Sequence, residues 1–249
     1  DSEMTNGRPS SYSAKALLAK VYMTNGSPLL AEPLLLDVIS NSGAALEESY
    51  ENLFTDSGES SSEILFSVQY SATGDTYSNI FTFEVTGGFS RIINPTTDFL
   101  RESYEAGDIR ADLTYNDASQ AIVKHFSDNL SRTSSEADWY VLRLADVILL
   151  YAEAGIVNNS MSNVQVLALL DNIRLRADLP ILNVADFSTR DAVYQAVKDE
   201  RKVELAWEGH RWFDLIRWGD AKEALDFTSD DYLLFPIPIS EVLATSGVI

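Results

Sequence analysis

Residues 200–219 read ERKVELAWEGHRWFDLIRWG, a run in which charged and large aromatic side chains alternate at helical spacing. A helix exposed to water on all sides would not carry so many aromatic residues. Glu200, Glu204 and Glu208 recur every four residues, so their three carboxylates lie on one stripe of a helix. The run therefore predicts a helix that buries aromatic residues while its charges form pairs.

A glycine divides this run into two parts. Gly209 can adopt the left-handed conformation that stops a helix, and residues 210–218 suit a second short helix closed by Gly219. The run thus predicts two helices joined at a tight corner. The tryptophans that we expect to be buried at this corner are Trp207, Trp212 and Trp218.

Three carboxylates on one helix face can hold a metal ion or can be neutralised by ion pairing. Arg201, Arg211 and Arg217 are close in sequence, which favours structural ion pairs over a metal site. Other charged residues, on the neighbouring predicted helices, are spaced for ion pairs between helices rather than for ligand contacts. These residues are Arg143, Asp146, Glu153, Arg174 and Arg176.

Two pairs of apolar helices are predicted on either side of a polar middle segment. Residues 12–24 and 29–39 form the first pair, with Pro33 near the first turn of its second helix. A matching pair is predicted over residues 140–177, and one more helix over residues 189–208. Helix pairs of this kind resemble tetratricopeptide repeats, which bury their faces by stacking on neighbours.

The polar middle segment covers residues 55–136 and is rich in Gly, Asn, Asp, Ser and Thr, a composition typical of loops with short strands. Alternating apolar residues predict strands over residues 64–70 and 80–85. Binding residues concentrate in loops that a rigid frame holds in place. This insertion is therefore the predicted location of a binding site.

Composition limits the possible partners. The chain has 249 residues with 45% hydrophobic content, enough for a sizeable core, and lacks a run of ~18 apolar residues that could span a membrane. The net charge of −20 opposes binding to nucleic-acid phosphates and to anionic lipid surfaces. An uncharged sugar polymer is compatible with this charge, although acidity also serves solubility alone. The absence of cysteine excludes disulfides, zinc-thiolate sites and thiol nucleophiles.

Motifs of common enzyme classes are missing from the sequence. His125 and His210 lack the spacing of zinc or di-iron ligands, and no nucleophile elbow, Walker A loop or Rossmann glycine fingerprint occurs. A glycosidase needs only two carboxylates, which 38 acidic residues do not exclude, but nothing marks such a pair. We therefore expect a protein that is not an enzyme and that uses no cofactor or metal.

Seven segments, in order along the chain, resemble the SusD/RagB family, the surface glycan-binding lipoproteins of Bacteroidetes nutrient-uptake systems. One is the run at residues 200–219. The others are GRPSSYSAKALLAKVYM at 7–23, SEILFSVQY at 62–70, PTTDFLRESYEAGDIR at 95–110, LRLADVILLYAEA at 142–154, LDNIRLRADLP at 170–180 and LFPIPISEV at 234–242. The residues of the first run that match the family pattern are interpreted as structural: Glu200, Arg201, Glu204, Glu208, Gly209, Arg211, Trp212, Phe213, Asp214, Arg217 and Trp218.

The resemblance implies a mainly α fold of tetratricopeptide-like helix pairs with a loop-rich insertion that contains short strands. Family members are about twice as long, so the chain resembles their C-terminal half and is expected to be an incomplete SusD-like fold. Residues 1–249 are interpreted as one SusD/RagB-like domain. Its parts are a helical frame at 10–45 and 138–226, the insertion at 55–136, and an extended C-terminal segment at 232–249.

The resemblance also implies a location and a function. The protein is expected on the extracellular face of the outer membrane, held only by a lipid anchor on an N-terminal portion that this sequence lacks; its opening residues show no signal peptide. It would bind oligosaccharides or polysaccharides and deliver them to a SusC-like TonB-dependent transporter without covalent chemistry. The alternatives are a RagB-like module that binds peptides or proteins and, as a third reading, a glycoside-cleaving enzyme.

Candidate ligand-binding residues follow from the chemistry of sugars. A sugar offers apolar C–H faces, which stack on exposed aromatic rings, and hydroxyl groups, which need polar side chains. Tyr77 lies in a polar context with Asp75 and Asn79 as possible hydroxyl partners. Tyr70, which lies in the insertion, and Trp139, which lies just before a predicted helix among Ser, Glu and Asp, are the further predicted platforms.

Overall fold

The structure is a computed structural model that describes residues 7–70, 98–116, 121, 122, 124 and 138–245. Over these residues the fold is mainly α-helical, as predicted. The chain forms two compact units, Asp1–Gly209 and His210–Ile249. None of the helices in the described ranges combines the length and the apolar character needed to cross a membrane.

Five longer helices build the frame of the first unit. They are α1 (Ser11–Thr24), α2 (Pro28–Asn41), α6 (Leu144–Val157), α7 (Asn163–Arg176) and α8 (Arg190–Glu204). Shorter helices of this unit are α3 (Tyr50–Leu53), α4 (Asp98–Arg101) and α5 (Arg110–Thr114), with 3-10 turns at Asp56–Ser60 and Val184–Asp186. The strands are β1 (Ile64–Val68), β2 (Tyr115–Asn116), β3 (Ala121–Ile122) and β4 (Trp139–Arg143).

The first helix pair, α1 and α2, matches the predicted pair. Ser10 caps α1 and exchanges hydrogen bonds with Ser13 in a capping box, which satisfies backbone groups at the start of the helix. Pro28 occupies the first turn of α2, where no backbone N–H is needed. Pro33 lies inside α2 rather than near its first turn, so the expectation for Pro33 is wrong because the helix begins earlier than predicted.

The second helix pair is α6 and α7. Nearly every residue of α6 is buried, since the helix packs against α2, α7 and α8 at once. Position 155, near the end of α6, requires a glycine, because a Cβ there would lie 2.4 Å from the Sδ atom of Met161. The pair does not begin at residue 140 as predicted: residues 139–143 form strand β4, and α6 starts only at Leu144.

A short antiparallel ladder joins the insertion to the frame. Strand β1 pairs with β4, so that Ile64 lies opposite Arg143 and Val68 opposite Trp139. This confirms a strand within residues 64–70, while the predicted strand at 80–85 lies outside the described residues. Within its described part the insertion also contains α4 and α5, so it is not built of loops and strands alone.

Helix α8 is shorter than predicted. It ends at Glu204 instead of continuing to residue 208, and Thr189 caps its start by accepting a hydrogen bond from the backbone N–H of Ala192. The carbonyl of Glu204 accepts hydrogen bonds from Arg143 Nη2 at 2.8 Å, Lys124 Nζ at 3.1 Å and Tyr50 Oη at 3.2 Å. Side chains from distant segments thus satisfy a carbonyl that a longer helix would have used.

The second unit contains α9 (Arg211–Trp218), α10 (Ala221–Ala224), a 3-10 turn at Asp230–Leu233 and α11 (Ile239–Ala244). Helix α9 and its closing Gly219, with a φ of +77°, agree with the prediction. The expected extended segment at 232–249 is wrong over its described residues, because the 3-10 turn and α11 occupy much of it.

The run at residues 200–219, called the hallmark run from here on, has aromatic residues that are less buried than predicted. Trp207, Trp212 and Trp218 are partly buried, and Phe213 is 58% exposed. In the second unit, the ring of Trp212 lies 5.9 Å from that of Phe235. In the first unit the run instead buries its carboxylates, at Glu200, Glu204 and Glu208, together with Arg201 and Leu205.

Replacing Leu35 by Ala should lower the free energy of unfolding by about 2–5 kcal/mol, because Leu35 is fully buried between α1, α2 and α6. Leu36 is the matched control: it is the next residue of the same helix and is 46% exposed. Leu36→Ala should change the free energy by less than about 0.5 kcal/mol. Urea denaturation measures both values, and equal losses would contradict the assigned face of α2.

Candidate ligand-binding site

The end of the β1–β4 ladder at Val68 and Trp139 carries two of the predicted aromatic platforms. Trp139 pairs with Val68, and Tyr70 follows two residues later. The side chain of Asp138 links the two strands at this end. Its Oδ1 accepts a hydrogen bond from the backbone N–H of Tyr70 at 3.0 Å, and its Oδ2 accepts one from Ser67 Oγ at 3.1 Å. Tyr70 and Trp139 are both partly buried, so neither is a core residue and neither is fully exposed.

Trp139 also lies against the hallmark run. A Cβ on Gly209 would lie 3.9 Å from Cζ2 of Trp139, so the indole ring packs beside a backbone without a side chain. Gly209 has a φ of +81°, a conformation in which side-chain-bearing residues are strained. A glycine at this position therefore serves the turn, while a Cβ there would make only an ordinary contact with Trp139.

The other predicted site residues, Tyr77, Asp75 and Asn79, lie outside the described residues. They stay predictions from the sequence.

A buried network of ion pairs lies at the C-terminal end of α8 and centres on Glu204. This side chain is completely buried, and both of its carboxylate oxygens are bound by guanidinium groups. Arg143 Nη1 lies 2.6 Å from Oε1, Arg176 Nη2 also binds Oε1, and Arg110 Nη1 lies 2.9 Å from Oε2. The three arginines come from β4, α7 and α5, so one carboxylate joins three separate segments to α8.

Arg143 extends the network in two directions. Its Nε donates to Glu208 Oε2 at 2.6 Å, and its Nη1 donates to Glu63 Oε1 at 2.9 Å. Lys124 Nζ lies 2.6 Å from Glu208 Oε1 and 4.5 Å from the ring centroid of Phe54. The ammonium of Lys124 thus contacts a carboxylate, the carbonyls of Glu204 and Ala206, and an aromatic face.

A second part of the network surrounds Arg110. Its guanidinium binds Asp108 through Nε at 2.9 Å and Nη2 at 2.8 Å, and Nη1 lies 2.6 Å from Glu200 Oε1. Arg174 links Glu200 to Glu105, whose carboxylate it binds with two hydrogen bonds of 2.6 and 3.0 Å. A cavity of about 320 Å³ borders this part of the network and is lined on its other side by α8.

The stripe of Glu200, Glu204 and Glu208 is therefore a structural ion-pair surface, as favoured from the sequence. Arg201 binds Asp146 at 2.9 Å, and Arg217 binds Asp214. The described cations that bind the stripe include Arg110, Arg143 and Lys124, which are distant in sequence and are not the nearby arginines named from the sequence. The other predicted pairs between helices are confirmed for Arg143, Asp146, Arg174 and Arg176, and Glu153 accepts a hydrogen bond from Tyr194.

Five members of the network were not predicted: Glu63, Glu105, Asp108, Arg110 and Lys124. Glu63 lies in SEILFSVQY, and Asp108 and Arg110 lie in PTTDFLRESYEAGDIR. Both segments carry the family resemblance, and charged residues inside such segments are the signal that could have identified them. For Lys124 the sequence holds no comparable signal, because its neighbours are unremarkable polar and apolar residues.

Burial and neighbouring charges shift the pKa values of these groups in opposite directions. Burial alone would raise the pKa of Glu204, but Arg176, Arg143 and Arg110 outweigh it and hold the pKa below its usual 4.5. Burial raises the pKa of Glu200 despite its contact with Arg110. Burial lowers the pKa of Lys124 to about 8, against the opposing charge of Glu208.

Within the described ranges, no group of three His, Asp or Glu side chains is arranged to hold a metal ion. The network carboxylates are instead occupied by Arg and Lys donors. A second, larger cleft lies near the start of β1 and is lined mainly by hydroxyl groups. The described part of the chain therefore offers a rigid charged frame, an aromatic edge and a polar cleft.

Tetratricopeptide-like helix pairs that support an insertion define a scaffold class of binding proteins, and comparison with known proteins gives the family. The model of the SusD family matches residues 10–232. The chain belongs to the SusD family.

Individual relatives agree with this assignment. The chain is 30% identical over 260 aligned residues to a SusD-like protein of Bacteroides ovatus, an alignment that covers 85% of this chain and 46% of the relative. A SusD superfamily protein from Parabacteroides distasonis superposes with a TM-score of 0.81 at 26% identity, covering 98% of this chain and 63% of the other. A laminarin-binding SusD-like protein gives a TM-score of 0.75 at 27% identity, covering 97% and 63%. The chain thus spans about half to two thirds of these relatives.

Replacing Arg143 by Met should lower the free energy of unfolding by about 3–5 kcal/mol, because it removes one guanidinium partner from each of the buried carboxylates of Glu63, Glu204 and Glu208. Arg101 is the control: its pair with Asp98 is exposed, and Arg101→Met should cost less than about 1 kcal/mol. Chemical denaturation at pH 7 measures both values. A loss for Arg143→Met as small as that of the control would show that the network does not support the fold.

Acid should destabilise the protein through Glu204. The folded-state pKa of Glu204 lies below the usual 4.5. Its contribution to the free energy of unfolding is therefore fully present above about pH 4.5 and is lost as the pH falls through the folded-state pKa. One such group changes the free energy of unfolding by up to about 1.4 kcal/mol per pH unit. Glu204→Gln should therefore make the loss between pH 5 and pH 3 shallower.

Glu200→Gln is the matched control for this titration. The folded-state pKa of Glu200 is raised, so protonation of Glu200 favours the folded state as the pH falls. Glu200→Gln should leave the acid loss as steep as in the wild type, or steeper. Urea denaturation of the three proteins at several pH values tests this difference, and equal flattening by the two substitutions would contradict the assignment.

Proposed function

We propose that this chain is the C-terminal part of a non-catalytic glycan receptor, which binds oligosaccharides or polysaccharides at the bacterial cell surface. The observation that carries the proposal is the match to the laminarin-binding SusD-like protein over 97% of this chain at 27% identity. Because the chain spans only 63% of that protein, part of the binding surface is expected to come from residues beyond this sequence.

The described edge of the ladder supports this proposal chemically. Trp139 and Tyr70 place two partly buried aromatic side chains at one end of the β1–β4 ladder. A partly buried ring is held in one orientation by its neighbours and still offers apolar surface to the C–H faces of a sugar. The hydrogen bonds of Asp138 fix the backbone under both rings, so the platforms need little ordering when a ligand binds.

The carboxylates of the hallmark run support a binding role over a catalytic one. Glycoside hydrolysis needs one carboxylic acid and one free carboxylate on either side of the scissile bond. Glu200, Glu204 and Glu208 are buried and bound to Arg or Lys side chains, which leaves none of them positioned for such chemistry. These three residues serve the frame in our proposal.

In the full-length protein, we infer attachment to the extracellular face of the outer membrane through a lipid anchor, and delivery of the captured glycan to a SusC-like TonB-dependent transporter. Membership of the SusD family supports this part of the proposal. It is tested by purifying the full-length protein from its native membrane under mild detergent. Co-purification of a TonB-dependent transporter is the expected result, and a full-length protein released into the soluble fraction without the transporter would argue against it.

Affinity electrophoresis tests the receptor function. Gels that contain a neutral β-glucan, a mannan or an alginate should retard the protein in at least one case, with no oligosaccharide released on prolonged incubation. Release of oligosaccharides would show a glycoside-cleaving enzyme instead. A lack of retardation in every gel, combined with saturable binding to a peptide library, would favour the RagB-like alternative.

Replacing Tyr77 by Ala should weaken binding to the retained polysaccharide about tenfold, which corresponds to ~1.4 kcal/mol, and should leave the melting temperature unchanged. Trp139→Ala should weaken binding and also lower the melting temperature, because Trp139 packs against Gly209. Phe99→Ala is the control, since Phe99 is 58% exposed and is not a predicted platform. Unchanged retention of Tyr77→Ala would remove Tyr77 from the site.

A further inference from the structure

A cleft of about 470 Å³ opens on the first unit between three segments that are distant in sequence. These are the start of α1, the loop after α2 and the segment that leads into β1. Serine hydroxyls from all three segments line it, at Ser10, at Ser42 and at 60–62. Tyr12 and Glu59 complete the polar part of its wall, and the volume lies within the range of small-molecule pockets.

The wall of the cleft matches the hydrogen-bonding chemistry of a sugar. A serine hydroxyl both donates and accepts, as a sugar hydroxyl does, so a serine-rich wall can exchange hydrogen bonds with either orientation of a ligand hydroxyl. The hydroxyls of Ser62 and Tyr12 have no hydrogen-bond partner within the part of the chain that the structure describes. Both remain able to bind a ligand without breaking an existing contact.

The charge of the cleft selects against anionic ligands. Among its described lining residues, Glu59 is the one charged side chain. Directly behind the wall, Ser61 Oγ donates a hydrogen bond of 2.7 Å to Glu47, which adds a second carboxylate. The carboxylates of Glu59 and Glu47 repel a sulfate or uronate group, and the described lining residues include no cation that would attract one. An uncharged saccharide meets no such repulsion.

The cleft is connected to the aromatic edge by a direct contact. Glu59 Oε1 accepts a hydrogen bond of 2.8 Å from the backbone N–H of Asp138, the residue before Trp139. Asp138 in turn holds the backbone of Tyr70. One side chain of the cleft wall therefore fixes the strand that carries a predicted platform, so the two surfaces belong to one rigid part of the frame.

We propose that this serine-lined cleft is a second binding subsite, which takes an uncharged segment of the glycan and excludes sulfated and uronic acid units. The inference rests on the proposed function, since it specifies a subsite and the ligand class of a glycan receptor. It assigns hydrogen-bonding roles to Ser62 and Tyr12.

Blocking the cleft tests the subsite. Ser62→Trp fills the opening from an exposed position, whereas Ser188→Trp adds the same side chain at an exposed position outside the cleft. Isothermal titration with a neutral β-glucan hexasaccharide should show about tenfold weaker binding for Ser62→Trp and wild-type binding for Ser188→Trp. Tyr12→Phe should weaken binding by a smaller factor, and thermal denaturation should confirm that all three variants fold. An alginate hexasaccharide should not bind the wild type.

The outcomes separate the subsite from the receptor function. Wild-type binding of the neutral hexasaccharide by Ser62→Trp would overturn the subsite and leave the glycan receptor in place. Binding of alginate in preference to the neutral glucan would overturn the charge argument and the subsite, again without affecting the receptor function. Failure of the wild type to bind any glycan would overturn both proposals together.

Discussion

The burial of Glu204 is the constraint on which the rest of the structure depends. A carboxylate removed from water loses its hydration and needs charged hydrogen-bond donors in close contact to remain ionised. Arg110, Arg143 and Arg176 provide these donors from three segments, and Lys124 binds the carbonyl of the same residue. The hallmark run is therefore the acidic half of a core whose basic half is distributed over the chain.

This core explains how a helical frame can hold a binding edge. Arg143 lies at the end of β4, where it binds Glu204. Trp139 lies at the start of the same strand, where it pairs with Val68. Gly209 follows the carboxylate stripe with a φ of +81° and lies near the indole ring of Trp139. Five residues of strand thus connect the buried charges to the aromatic surface.

The helix pairs could be predicted from the sequence because apolar spacing along a single segment defines a buried face, as in α1 and α2. The C-terminal end of α8 could not be predicted in this way, because its last carbonyl, that of Glu204, accepts hydrogen bonds from Lys124 and Arg143, which are distant in sequence. For the same reason the sequence did not predict that Arg110 and Lys124 bind the Glu stripe. Tyr70 and Trp139 were predicted individually, but their proximity depends on the pairing of β1 with β4, which neither strand specifies alone.

The charge network also has a consequence for synthesis of the chain. Its contacts to Glu204 join residues that are 28, 61 and 94 positions apart, and loops of that length close slowly. All three arginines emerge from the ribosome before α8 does. Before that, Asp108 is already available to Arg110, and Glu63 is available to Arg143 and Arg176, whereas the contacts to Glu204 wait for α8. The buried network can therefore be completed only after the last long helix of the frame has been synthesised.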